Sequence, residues 1–208
     1  GFKFRENSAL KKIGEQLSAD VDFHKFLQFL FFRQWLALKE YANLNGVEIV
    51  GDVPLYVSTD SSDVWTNTDI FLLDDNLIPT EVGGVPPDYF SATGQLWGNP
   101  VFNWHRLKER DYDWWMARLR FNLKMFNQVR IDHFRGLESF WSVSAGEETA
   151  INGKWVPARS LGLDTLSNRF RCAWLAFKGE CDLLRWLQCL TNWQITFLYL
   201  GGILPNCW

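Results

Sequence analysis

Gln128-Val129-Arg130-Ile131-Asp132-His133-Phe134-Arg135-Gly136 is the stretch on which the fold turns. Its first half alternates β-branched residues with polar ones and ends in a carboxylate, which predicts a short strand with Asp132 at its C-terminal end. Upstream, Trp114, Leu119, Leu123 and Phe126 recur at helical spacing, so a helix from Asp111 or Asp113 to Phe126 feeds that strand. The same pairing occurs earlier. Phe23, Phe26, Leu27, Leu30, Phe31, Trp35 and Leu38 follow a spacing of three and four behind a capping Asp20 or Asp22, and the helix ends at Asn45-Gly46. Val47-Glu48-Ile49-Val50-Gly51-Asp52 then predicts a strand with Asp52 at its end, before Pro54. A helix feeding a strand that ends in aspartate, twice over, is the grammar of a parallel α/β sheet. The expected fold is a partial (β/α)8 (TIM) barrel with a long inserted loop region, in which chemistry gathers at the strand C-termini.

The inserted region runs from Tyr56 to Trp104, is dense in Gly, Pro, Asp, Ser and Asn, and carries Tyr56, Trp65, Tyr89, Phe90, Trp97 and Trp104 without sustained periodicity. Long excursions of this kind carry function, so it is expected to build a binding surface. A third β-like run, Ser139 to Val143, precedes a hairpin signal at Asn152-Gly153.

Composition narrows the function classes. With 208 residues, 47% hydrophobic and 22% charged, the chain has material for a core, and disorder is not expected. Its 21 basic and 24 acidic side chains leave a charge of -3, which gives no field for nucleic acid or an anionic membrane. The longest nearly uncharged apolar run, Ile195 to Leu204, is about half the roughly 20 residues of a membrane span. The sequence lacks a secretion signal and a glycosylation acceptor, so a cytoplasmic setting is expected, with a plastid equally compatible. Cys172, Cys181, Cys189 and Cys207 show no Cys-x-x-Cys spacing, so neither a disulfide framework nor a metal site is expected.

Arg130 and Asp132, two apart on a strand, project to one face. A neighbouring guanidinium favours the ionised carboxylate, which a carboxylate nucleophile needs, although the spacing serves a structural ion pair equally well. Trp35, Trp114 and Trp115 fall in helical patterns and are assigned to packing, and His24 and His105 are read as structural.

Three blocks carry a more specific signal. They are Gly51-Asp52-Val53-Pro54-Leu55-Tyr56-Val57 with Ser62-Asp63-Val64-Trp65, the run from Gly84-Val85-Pro86-Pro87-Asp88-Tyr89-Phe90 through Gln95-Leu96-Trp97-Gly98-Asn99-Pro100, and Val129-Arg130-Ile131-Asp132-His133-Phe134-Arg135-Gly136, followed by Trp155-Val156-Pro157. In this order the sequence resembles the 4-α-glucanotransferases, the amylomaltase or disproportionating-enzyme family related to the α-amylases, over roughly residues 20 to 158. The resemblance implies retaining transfer of α-1,4-glucan segments, with an α-1,4-glucan or maltooligosaccharide as partner and no metal or nucleotide cofactor. It implies that Asp132 is the nucleophile, that Arg130 holds it ionised, and that Asp52 holds the sugar at the cleavage position. It further implies that Asp88, Tyr89, Phe90, Gln95 and Trp97 belong to a loop that guides a curved glucan. His133 remains open between a sugar ligand and a turn histidine. A non-catalytic glucan-binding remnant and an α-glucan hydrolase are the alternatives.

A retaining mechanism needs two carboxyl groups about 5 Å apart. The family's acid/base glutamate lies in a block resembling Ala-Glu-Asp-Leu-Gly, with a further aspartate beside a histidine, and the sequence carries neither; Glu180 is followed by Cys181-Asp182. Residues 1–160 are therefore expected to be an interior part of a catalytic barrel, with little turnover of its own. From Leu161 onward 7 of 48 residues are charged, against 38 of the first 160, so 161–208 is expected to be a non-matching tail, and the change suggests a frameshift or a degenerate gene. Sequencing the locus checks this: a one-base shift near codon 160 should restore a glutamate-containing strand, and a clean frame in an unbroken longer gene contradicts it.

Overall fold

Two parallel strands form the centre of the fold: β1 (Val50–Val53) and β4 (Gln128–Ile131). The computed structural model describes residues 1–158. The tail from Leu161, the four cysteines, Glu180 and the apolar helix expected over Ala173 to Leu190 lie outside the described residues. In register, Asp52 faces Arg130 and Val53 faces Ile131, and the ladder continues where the Asp132 amide donates to the Val53 carbonyl at 2.9 Å. Burial alternates along both strands. Gly51, Val53, Val129 and Ile131 are buried, whereas Val50, Asp52 and Arg130 lie on the opposite, open face. Gly51 is required at its place, because a Cβ there would run into the Phe126 ring. β1 begins three residues later than the β-rich run suggests, because Val47 is exposed and Asn127 Oδ1 accepts the Ile49 amide at 3.0 Å instead of a strand partner.

The helix before β4 forms close to expectation, as α5 over Asp113–Met125. It buries Trp114, Trp115, Met116, Leu119, Leu123 and Met125, while Phe126 is its extended C-cap, folded over Gly51. The helix before β1 is longer than expected. It runs as α2 over Ser18–Leu44, directly after α1 (Asn7–Gln16), so neither Asp20 nor Asp22 caps it; Asp20 lies in its first turn and Asp22 accepts from Lys25. Asn45 and Gly46 (φ 74°) end it as predicted. One stripe of α2 faces the body: Phe32 meets Phe121 edge-on at 5.8 Å, Trp35 donates to the Met125 carbonyl at 2.9 Å, and Lys39 donates to the Phe126 carbonyl at 3.0 Å.

The region from Tyr56 to Trp104 is not the long loop that its composition suggests. It contains α3 (Ser62–Thr66), a 3-10 turn at Thr68–Ile70, β2 (Glu81–Val85) and β3 (Gln95–Pro100). These strands join β5 (Ser139–Ser144) and β6 (Lys154–Pro157) in an antiparallel sheet of order β3-β2-β5-β6. Gly83-Gly84 adds to the loop-like composition although both lie in β2, and Gly84 is needed because a Cβ there would strike the Gln95 carbonyl across the ladder. The run at Ser139 thus pairs with β2 rather than extending the parallel pair, and Asn152-Gly153 closes the longer connection 145–153 into β6. The short α4 (Trp104–Glu109) leads from this sheet to α5. Between sheet and helix lies an aromatic core of Phe71, Phe102, Trp104, Tyr112, Trp114 and Trp115. Among the described residues no helix is long and apolar enough to cross a membrane.

Although α2 is 27 residues long, no residue of it is buried, and Phe23, Phe26, Phe29 and Phe31 are each more than half exposed. Apolar surface of this extent drives association. The chain is expected to self-associate in a concentration-dependent way in sedimentation velocity, and Phe26→Glu with Phe29→Glu should reduce that association without changing the far-UV circular dichroism. Unchanged association in the double variant contradicts this assignment.

Candidate functional site

At the open face of the parallel pair, the Arg130 guanidinium takes two carboxylates at once. One nitrogen donates to Asp52 Oδ2 at 2.7 Å and the other to Asp132 Oδ1. The spacing of Arg130 and Asp132 anticipated one of these contacts. The other follows from strand register, since Asp52 is the residue directly opposite Arg130. All three side chains are partly open to solvent, with the arginine 32% exposed and the aspartates 56% and 51%.

Beyond Asp132 the backbone turns left-handed at His133 (φ 49°) and enters a 3-10 turn at Phe134–Leu137. The Gly136 amide closes the turn on the His133 carbonyl at 2.9 Å. Gly136 is small by necessity, because a Cβ there would strike Leu55 and press on the His133 ring. The imidazole lies edge-on to Trp97, with centroids 4.9 Å apart and planes at 89°. Its Nε2 is buried with no hydrogen-bond partner among the described residues. Burial pushes the imidazole below its ordinary value of 6.5; Asp132 opposes the shift and Arg135 reinforces it.

Trp97 is held from two further sides. Its indole N–H donates to Gln95 Oε1 at 3.1 Å, and Tyr56 packs against it at 6.1 Å. Tyr56 is buried, which pushes its hydroxyl up, and it stacks on Phe102 in the core. Asn99 donates to the Val57 carbonyl at 2.9 Å, tying β3 to the segment that follows β1. The structure therefore gathers Asp52, Arg130, Asp132, Trp97 and Gln95 around one turn. Asp88, Tyr89 and Phe90 form a separate tip. Asp88 Oδ1 accepts the Phe90 and Ser91 amides at 2.9 and 2.8 Å, which shapes the tip, while Tyr89 and Phe90 are 97% and 90% exposed.

Two arginines near the site make contacts that the sequence does not announce. Arg118 of α5 lies against Trp114 and Trp115 and reaches the Leu55 carbonyl at 3.4 Å; burial lowers its pKa, opposed by Asp63. A lone arginine on an otherwise inward helical face was the available signal. Arg135 sits over the Trp155 ring at 4.3 Å, joining the turn to β6, a contact that no spacing announces. His105 lies within α4 and pairs with Glu109.

A family model for 4-alpha-glucanotransferase matches residues 1–176. The chain belongs to the 4-alpha-glucanotransferase family. That match reaches beyond both ends of the stretch quoted from the three blocks. The 4-alpha-glucanotransferase of Aquifex aeolicus is 53% identical over 156 residues, covering 75% of this chain and 32% of that protein. The chloroplastic/amyloplastic 4-alpha-glucanotransferase of Arabidopsis thaliana is 45% identical over 161 residues, covering 76% of this chain and 28% of that one. Among solved structures, amylomaltase from Streptococcus agalactiae in complex with acarbose superposes with a TM-score of 0.79 at 38% identity, over 90% of this chain and 38% of the amylomaltase. The chain thus spans about a third of the length of the curated 4-alpha-glucanotransferases it matches.

A histidine whose pKa is lowered by folding stabilises the fold fully above its unfolded value and loses that contribution as pH falls below it. Thermal unfolding of this chain should therefore drop to lower temperature as pH falls through about 6.5, and His133→Asn should flatten the dependence. An unchanged slope in the variant contradicts the burial of a neutral imidazole here.

Proposed function

We propose that this chain carries the nucleophile side of a 4-α-glucanotransferase, acting on α-1,4-glucans by retaining transfer. The single observation that supports this best is the guanidinium shared by Asp52 and Asp132 at the open end of two parallel strands. In this reading the parallel pair is part of a (β/α)8 barrel and its open face is the barrel interior, where the half-exposed Val50 adjoins Asp52.

Asp132 attacks the anomeric carbon of the glucosyl unit, and the bond to the leaving sugar breaks as the ester forms. Arg130 fixes the carboxylate so that one oxygen remains directed at the sugar. Asp52, on the same guanidinium, accepts hydroxyls of that glucosyl unit. Trp97 offers an apolar face to the sugar ring, with Gln95 fixing the orientation of the indole. Asp88 shapes the tip that carries Tyr89 and Phe90, two exposed rings suited to contact with a longer, curved glucan. The setting proposed is cytoplasmic or, by the name of the Arabidopsis relative, plastidic.

The leaving oxygen needs a proton from an acid, and a missing general acid costs about 100- to 10,000-fold. The family's acid/base block is absent from the 208 residues, so this chain alone should turn over little substrate. Incubation with maltotriose tests the reading, using this chain beside one extended at both ends to the length of its relatives. The extended chain should give glucose with longer oligosaccharides, and Asp132→Asn should lower that rate at least about 1,000-fold. Shorter products alone point to hydrolysis. Binding without products in both chains points to a glucan-binding remnant, and absence of both contradicts the proposal.

A further inference from the structure

We infer that His133 is a positioning residue that couples Trp97 to Asp132, so that a glucan ring seated on the indole is felt at the nucleophile's backbone. The inference rests on the glucan reading above and adds a part that the reading leaves open.

Three observations carry it. His133 has a left-handed backbone (φ 49°), which histidine tolerates better than most side chains but which does not account for the burial of its ring. Hydrogen bonding at the inner nitrogen does not account for it either, because Nε2 is buried with no partner among the described residues. What the ring does have is shape. It fills the space left by Gly136 and meets Trp97 edge-on at 4.9 Å, the arrangement in which a ring edge lies against a π face. His133 is joined by one peptide bond to Asp132, whose amide is fixed on β1 through the Val53 carbonyl at 2.9 Å. Trp97 is also held by the Gln95 side chain, the Tyr56 ring and the buried core, and among the ring pairs of the described residues the imidazole is the one that joins it to the turn after Asp132. A sugar pressing on the indole therefore transmits its load through His133.

The chain has 3 histidines, which makes the imidazole C2 hydrogen a site-resolved probe. Its exchange for deuterium, read by mass spectrometry at micromolar protein and fixed pH, compares His133 with the exposed His24 and His105. We expect His133 to exchange more slowly than either. Trp97→Ala should raise the His133 rate alone, and maltoheptaose should lower it alone. His133→Asn, which accepts the left-handed turn but removes the ring, should weaken maltoheptaose binding in calorimetry by roughly two- to tenfold, the range of one aromatic pair.

A His133 rate unchanged in Trp97→Ala overturns the inference, as does bound maltoheptaose that leaves the rate unmoved. Should Trp97→Ala fail to fold by circular dichroism, Trp97→Phe takes its place: the smaller ring should give an intermediate rate, and a rate equal to the parent overturns the coupling. If maltoheptaose does not bind at all, the glucan reading fails, while the comparison of Trp97 variants still decides whether the two rings are coupled.

Discussion

A single guanidinium with acceptors on two strands is the constraint from which the site follows. Arg130 can hold Asp52 and Asp132 together only because β1 and β4 pair in parallel with Asp52 opposite Arg130, and because Asp132 follows two residues later on the same face. A register slip of one residue would turn Arg130 to the buried side, push Val129 and Ile131 out to the open face, and cost the contact to Asp52. Register itself depends on apolar packing: Phe126 closing over Gly51 and the buried residues of α5 fix the strands that the charges then decorate. Surface ion pairs contribute little to stability, so the value of this one lies in orientation.

The antiparallel sheet gives the site a wall. From the core outward, Phe102 stacks with Tyr56, Tyr56 packs on Trp97, and Trp97 meets His133 beside Asp132. This chain of rings joins the buried aromatic cluster to the open strand ends, and close-packed side chains transmit displacement well. On the far side, Arg135 over Trp155 ties the same turn to β6. The turn after β4 is therefore held between two strands of a sheet to which it does not belong.

Legibility in the sequence followed the strength of local signals. The helix before each strand, and the strand ending near Asp132, were readable because helical spacing and β-branched runs are local properties. The start of α2 was not, since no side chain caps it and it continues almost directly from α1. Of the antiparallel sheet, β5 and the turn into β6 are legible in the sequence, whereas β2 and β3 are not, because Gly83 and Gly84 of β2 serve close packing and glycine reads as loop. For the site, the Arg130–Asp132 contact was visible as a spacing of two. Bringing Asp52 to the same guanidinium needed a pairing register that no single stretch encodes. His133 was left between two readings because only the tertiary fold sets Trp97 against it.

The most direct test of the account is covalent. α-Glucosyl fluoride carries a leaving group that departs as fluoride without protonation, so attack by Asp132 needs no acid partner, and without a base to activate water the ester should persist. Mass spectrometry of peptides from this chain after such incubation should find one glucosyl residue on Asp132, absent when Arg130 is replaced by Met. A label on another carboxylate, or none on Asp132 while maltoheptaose binds, would contradict the account.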